Sequence, residues 1–173
     1  TTRRNAGRRA EGGARKRDIV SQNWSDHLTS CAQTGTLPSV NPYPSTSLLA
    51  LDWGTSSARA YRLSAGGVVL DRREAPLGVM QVREGQHAAA LVSLLGDWNE
   101  LRLPRIAGGM IGSRQGWIEV PYVDCPADTA ALVAGLRTTP GGEMAIVPGL
   151  VHRDGDGVPD VLRGEETQIV GAV

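Results

Sequence analysis

The stretch LLALDWGTSSARAYRL, residues 48–63, decides the fold. Leu48 to Leu51 is a continuous apolar run, the pattern of a strand buried on both faces. It delivers Asp52 to its C-terminal end, where Trp53-Gly54-Thr55-Ser56-Ser57 breaks the run with a turn-rich polar cluster. Ala58 to Leu63 reads as a second strand, Ala65-Gly66-Gly67 as a turn, and Val68 to Arg72 as a third strand. Connections this short permit only antiparallel pairing, so the domain opens with a three-strand meander.

The turn after the first strand is dense in hydrogen-bond donors. Gly54 has no side chain to keep a ligand away from the backbone. Thr55, Ser56 and Ser57 add three hydroxyls to the N–H groups. Donors beside one fixed carboxylate suit a magnesium-bound polyphosphate: amides and hydroxyls take phosphate oxygens, and Asp52 holds the metal through its waters. The competing reading is a capped β-turn in which Asp, Ser and Thr bond the local backbone. The turn alone leaves both open.

Outward from this unit the pattern is α/β. Gln86 to Asn99 places Ala88, Leu91, Val92 and Leu95 on one helical face. A short strand follows around Arg105-Ile106-Ala107, then a Gly-rich segment. Ala127 to Leu136 reads as a helix, Met144 to Val147 as a buried strand, and Gly164 to Val170 as the start of another helix. The chain has 173 residues, 40% of them hydrophobic, enough for one domain with a real core. Residues 1–46 read differently: an Arg/Gly/Ala run followed by a Pro/Ser stretch, with no apolar periodicity. We expect a disordered or non-native extension there and the folded part from Ser47.

Composition excludes several chemistries. Lys16 is the only lysine, so residues 18–173 hold no P-loop lysine, no kinase strand lysine and no Schiff-base lysine. A nucleotide site here needs a lysine-free cradle. Of the 18 bases, seven lie in residues 1–17 with a single acid, leaving the rest of the chain net acidic. A basic arm without stacking aromatics, ahead of an acidic body, argues against nucleic acid as the partner. Cys31 and Cys125 form no C-x-x-C pair, and the three histidines form no H-E-x-x-H. No apolar run reaches the length of a membrane span and no secretory h-region is present, so the expectation is a cytoplasmic protein. With Thr at its head and the first Met at position 80, the sequence reads as lacking its true start.

Three further motifs could carry chemistry. Ala107-Gly-Gly-Met-Ile-Gly112 nearly spells a dinucleotide fingerprint, but its first glycine is Ala107, and Trp117 and Pro121 stand where the phosphate-binding helix should run. Asp154 to Glu165 mimics a calcium loop, but Val158 and Pro159 occupy its fifth and sixth positions, so an acidic hairpin tip is the better reading. Arg163-Gly-Glu165-Glu166-Thr-Gln168 bunches two carboxylates and a guanidinium where a helix begins. They suit acid/base or metal chemistry, or simply a helix dipole. Adjacent helix positions diverge by about 100°, so spacing does not say which glutamate points inward.

Together, DWGTSSARA, AGGMIGSRQGW with the following VPY, VPGL, and RGEETQIVGA resemble, in that order, the 2-dehydro-3-deoxygalactonokinases of the sugar kinase/Hsp70/actin superfamily. The resemblance covers Leu48 to Val173. It implies a ribonuclease-H-like (actin-like ATPase) domain, with the antiparallel meander followed by helix–strand crossovers. It further implies a C-terminal partner domain of the same protein, missing here, with ATP in the cleft between the two. The implied reaction is ATP-dependent, Mg²⁺-assisted phosphorylation of the 6-hydroxyl of 2-dehydro-3-deoxygalactonate in galactonate catabolism, with this segment inactive alone. Asp52 would hold the metal, and Gly54, Thr55, Ser56 and Ser57 the phosphates. Ser113, Arg114, Trp117 and Arg163 would line the sugar-acid side, and Glu165 or Glu166 would act as base. Another sugar or acyl kinase, or a non-catalytic nucleotide or sugar-acid sensor, remains the alternative.

Overall fold

The computed structural model describes residues 43–172. The basic run and most of the expected extension lie outside the described residues. Tyr43 to Thr46, which the sequence reading left in that extension, belong to the folded body. Thr46 is buried and donates its amide to Tyr43, whose hydroxyl donates to Asp97 at 2.7 Å. The Arg62 guanidinium lies 3.9 Å from the centre of the Tyr43 ring.

Strands β1 (Leu48–Trp53), β2 (Ala58–Leu63) and β3 (Val69–Ala75) form the expected meander, with Asp52 opposite Arg59 and Arg59 opposite Glu74. Helix α1 (His87–Leu95) and a 3-10 turn (Gly96–Glu100) return the chain to β4 (Arg105–Gly108), which pairs with β1 in parallel. A second 3-10 turn (Met110–Gly112) leads through the Gly-rich loop to β5 (Val123–Asp124) and helix α2 (Thr129–Gly135). Asp128 caps α2, its side chain accepting from the Ala131 amide at 2.9 Å. Strands β6 (Arg137–Thr138), β7 (Ala145–Ile146), β8 (Leu150–Arg153) and β9 (Pro159–Leu162) precede the last helix, α3 (Glu165–Ala172). The main sheet runs β3-β2-β1-β4-β7-β6, and β5-β8-β9 form a smaller one.

Two expectations change on folding. The apolar run of β1 is not equally buried on both faces: Leu49, Leu51 and Trp53 point into the core, while Leu48, Ala50 and Asp52 are half-covered. One face carries α1 and the other carries the charged cross-strand row, which is why Asp52 is reachable. On α1 the buried positions are His87, Ala90, Leu91, Leu94 and Leu95, one residue out of phase with the expected face, and Val92 is exposed. The i, i+3, i+4, i+7, i+8 spacing from His87 fits a stripe of core contact. The acidic hairpin tip forms as expected: Asp154 accepts from the amides of Asp156 and Val158 between β8 and β9.

Candidate active site

The turn between β1 and β2 is held from behind. The Gly54 amide donates to the Ser57 carbonyl, and the carbonyls of Gly54 and Thr55 accept from Val79 and Met80. The carbonyls of Gly54, Thr55 and Ser57 and the Gly54 amide are thus spent, while the exposed Thr55–Ser56 tip keeps its hydroxyls toward a ligand. Thr55 and Ser56 are exposed. The brace works because residue 78 is glycine: a Cβ there would lie 2.3 Å from the Thr55 carbonyl oxygen and 2.4 Å from the Ser56 nitrogen. Sequence reading passed over Gly78. Its only signal is a glycine that no turn or positive φ demands. Trp53 adds a second anchor, its indole donating to the Leu77 carbonyl at 2.6 Å.

Asp52 does not cap this turn, so the capped-turn reading fails on its main residue. Its carboxylate accepts from Arg59 at 3.1 Å, and Arg59 also donates to Glu74 at 3.2 Å. All three side chains are roughly two-fifths to half exposed. Solvent screens such an exposed pair, which is weak enough for a divalent cation to displace Arg59 toward Glu74. Among the described residues no group of three or more His, Cys, Asp or Glu side chains is placed to hold a metal ion. One accessible carboxylate beside a donor-rich turn fits Mg²⁺ that keeps its waters and phosphate oxygens, and fits no closed protein cage.

The other motifs converge on Gly108–Gly109. Gly108 is the parallel register partner of Asp52. A Cβ on Gly108 would touch Thr167 of α3 at 3.0 Å, and one on Gly109 would touch the Trp53 carbonyl oxygen at 2.8 Å. Gly109 has φ +95°, and Gly164, at φ +113°, packs onto its Cα. The first strand, the Gly-rich loop and the start of α3 therefore meet at the C-terminal ends of β1 and β4.

Here the structure separates the two glutamates. Glu165 is exposed, and one of its oxygens accepts from the Arg163 amide at 3.2 Å. Glu166 is fully buried; Oε2 accepts from the Gly164 amide at 2.6 Å, while Oε1 has no partner among the described residues. Burial pushes the Glu166 carboxyl above its ordinary range, against the pull of the local amides and of Arg163. A buried carboxylate with one free oxygen and a raised pKa has the properties of a proton acceptor.

The remaining candidates are spread along the Gly-rich loop. The Ser113 hydroxyl is spent on the Met110 carbonyl at 2.7 Å. Arg114 is 83% exposed and only loosely held by Glu119 at 3.8 Å. Trp117 stacks on His87, ring centres 6.1 Å apart, and His87 in turn meets Trp53 at 6.5 Å. The Trp117 and His87 rings and Arg114 line a groove of about 610 Å³ with Val82, Glu84 and Gln115. Desolvation lowers the His87 pKa, so its ring stays neutral. Arg163 is turned inward: Nη2 donates to the Val120 carbonyl at 2.7 Å and the guanidinium lies 4.2 Å from the Tyr122 ring centre.

Known proteins resemble this chain over most of its described length. The family model described as 2-keto-3-deoxy-galactonokinase matches residues 52–173. The 2-dehydro-3-deoxygalactonokinase of Escherichia coli (strain K12) is 37% identical over 124 residues, covering 72% of this chain and 41% of that protein. A relative from Rhizobium meliloti (strain 1021), named for the same activity, is 40% identical over 126 residues, covering 71% and 41%. A crystal structure from Sinorhizobium meliloti, described under the same kinase name, superposes with a TM-score of 0.64 at 38% identity, over 72% of this chain and 41% of that one. The chain thus spans about two-fifths of the length of these relatives. It belongs to the 2-keto-3-deoxy-galactonokinase family.

Proposed function

We propose that this segment supplies the phosphate-binding and base-bearing half of an ATP-dependent kinase that phosphorylates the 6-hydroxyl of 2-dehydro-3-deoxygalactonate, in galactonate catabolism. The observation that carries the reading is the meeting of three elements at Gly108–Gly109: the end of β1 that carries Asp52, the Gly-rich loop, and the start of α3 that carries buried Glu166. The sheet order β3-β2-β1-β4-β7, antiparallel then parallel, supports a ribonuclease-H-like core. Val161, Leu162, Ile169 and Val170 are exposed apolar side chains on β9 and α3, a surface suited to a C-terminal domain of the same protein. No helix among the described residues is long and apolar enough to cross a membrane, in keeping with a cytoplasmic enzyme.

In this reading the N–H and O–H donors of Thr55, Ser56 and Ser57 hold the transferring phosphate, and Gly54, without a side chain, lets it approach the backbone closely. Asp52 holds hydrated Mg²⁺, which neutralises charge on the phosphate oxygens when bound. Arg59, displaced from Asp52, keeps Glu74 as its partner. Trp117 and Arg114 receive the sugar acid, the guanidinium facing its carboxylate. Glu166 takes the proton from the sugar 6-hydroxyl as its oxygen bonds to the terminal phosphorus, the bridging P–O bond breaks, and ADP leaves. Positioning and charge stabilisation supply most of the acceleration, as in phosphoryl transfer generally.

The test is to assay a complete kinase polypeptide carrying this segment with ATP, Mg²⁺ and 2-dehydro-3-deoxygalactonate, locating the phosphate on the product by NMR. Phosphate on O6 supports the proposal. Turnover of gluconate-type acids alone would make it a different sugar kinase, and binding without turnover would make it a sensor.

A further inference from the structure

The Arg163 side chain is placed where a substrate ligand would not be. Its guanidinium sits between the Tyr122 ring and the backbone of the Gly-rich loop, with Nη2 on the Val120 carbonyl. A Cβ at Gly112 would lie 2.8 Å from Nη1 and 2.9 Å from Ile146 Cγ2, so glycine at 112 leaves the space that the guanidinium fills. Tyr122 is backed by Gly149, where a Cβ would fall 2.7 Å from the ring. The same arginine is the last residue before Gly164 and the start of α3, and Nε and Nη1 are buried without a partner among the described residues. A buried cation on a loop carbonyl, one residue from a positive-φ glycine, joins two elements that carry opposite ends of the site.

We infer that Arg163 is a positioning residue: it locks the Gly112–Tyr122 loop to the N-terminus of α3, so that the sugar side and the Glu166 carboxylate move as one unit. This rests on Glu166 acting as the base. The charges acting on Glu166 are Arg163, which favours the ionised carboxylate, and Glu165, which opposes it, together with the Gly164 amide bonded to Oε2. Arg163 therefore sets the position of Glu166 and also supports its charge.

Two sets of measurements decide it. In the present chain, hydrogen exchange is followed at the Trp117 and Val120 amides, which bond Ile111 and Gly112, and at the Gly164 amide on Glu166. Arg163→Met and Gly112→Ala should each speed exchange about tenfold or more on both sides of the lock. The β1–β2 amides should be unaffected, which also certifies that the variants fold. Loosening of one side only overturns the inference, and so does no change. In a complete kinase, Arg163→Met should lower kcat at least tenfold, leave KM for ATP within twofold, and move the acid limb of kcat/KM to higher pH. Arg163→Lys, which keeps the charge, should restore the limb but not the exchange rates. A raised KM for the sugar acid with unchanged kcat would make Arg163 a substrate ligand instead. If the wild-type kinase fails to phosphorylate the sugar acid, the kinase reading falls, while the exchange data still decide the lock.

Discussion

Replacing Gly78 by alanine tests the construction of the phosphate turn most directly. The added Cβ would lie 2.3 Å from both the Ser56 carbonyl carbon and the Thr55 carbonyl oxygen, and 2.4 Å from the Ser56 nitrogen. These are backbone atoms, fixed by the Val79 and Met80 amide bonds, so no flexible side chain can move aside. An ordinary contact needs about 1 Å more, and the turn must retreat by that distance. Overpacking of this kind costs about 1–3 kcal/mol, and a domain of this size loses about 2–4 °C of Tm per kcal/mol. The expected loss is about 2–12 °C by calorimetry or circular dichroism. A 1 Å misplacement of phosphate donors should also cost about 100-fold in kcat of the complete kinase. Gly155→Ala is the matched control: nothing lies within 4 Å of its Cβ site, and its φ is not positive. Unchanged melting and unchanged kcat for Gly78→Ala would refute the argument that residue 78 braces the turn.

Four other outcomes follow from the same geometry. Asp52→Asn should reduce kcat at least about 100-fold while leaving the melting temperature nearly unchanged, since Arg59 keeps Glu74; wild-type turnover would remove Asp52 from the mechanism. Glu166→Gln should abolish most turnover yet stabilise the fold at neutral pH. Its folded pKa lies above the ordinary 4.5, so the stability it contributes is full below pH 4.5 and lost as pH rises through the raised value; melting of both proteins from pH 4 to 8 reads this directly. His87 has the opposite dependence: neutral in the fold, it contributes stability above pH 6.5 that is lost as pH falls toward its lowered pKa, and His87→Leu should flatten that acid slope in a pH-dependent melt. Trp117→Ala should raise KM for the sugar acid about tenfold with KM for ATP unchanged, checked by steady-state kinetics.

Local signals in the sequence determined a good part of this. The apolar run 48–51, the turn glycines and the short connections specify the meander, because two-residue periodicity and turn chemistry act over a few residues. Asp52 at a strand end beside Gly54, Thr55 and Ser56 is legible for the same reason. Only the tertiary structure decided the rest. The two-residue strands β5 and β6 carry no periodicity and exist because β8 and β7, brought beside them by the fold, offer them hydrogen bonds. Glu165 and Glu166 are chemically equal in sequence, and burial against the body of the domain is what sets Glu166 apart as the base we propose. Arg59 became the partner of Asp52, and Glu74 that of Arg59, through strand register, which no single segment contains. Gly78 and Gly112 look like any other glycines until the Ser56 backbone and the Arg163 guanidinium occupy the space where a Cβ would stand. Chain-local propensity sets the elements, and the shape of the space between them assigns each residue its part.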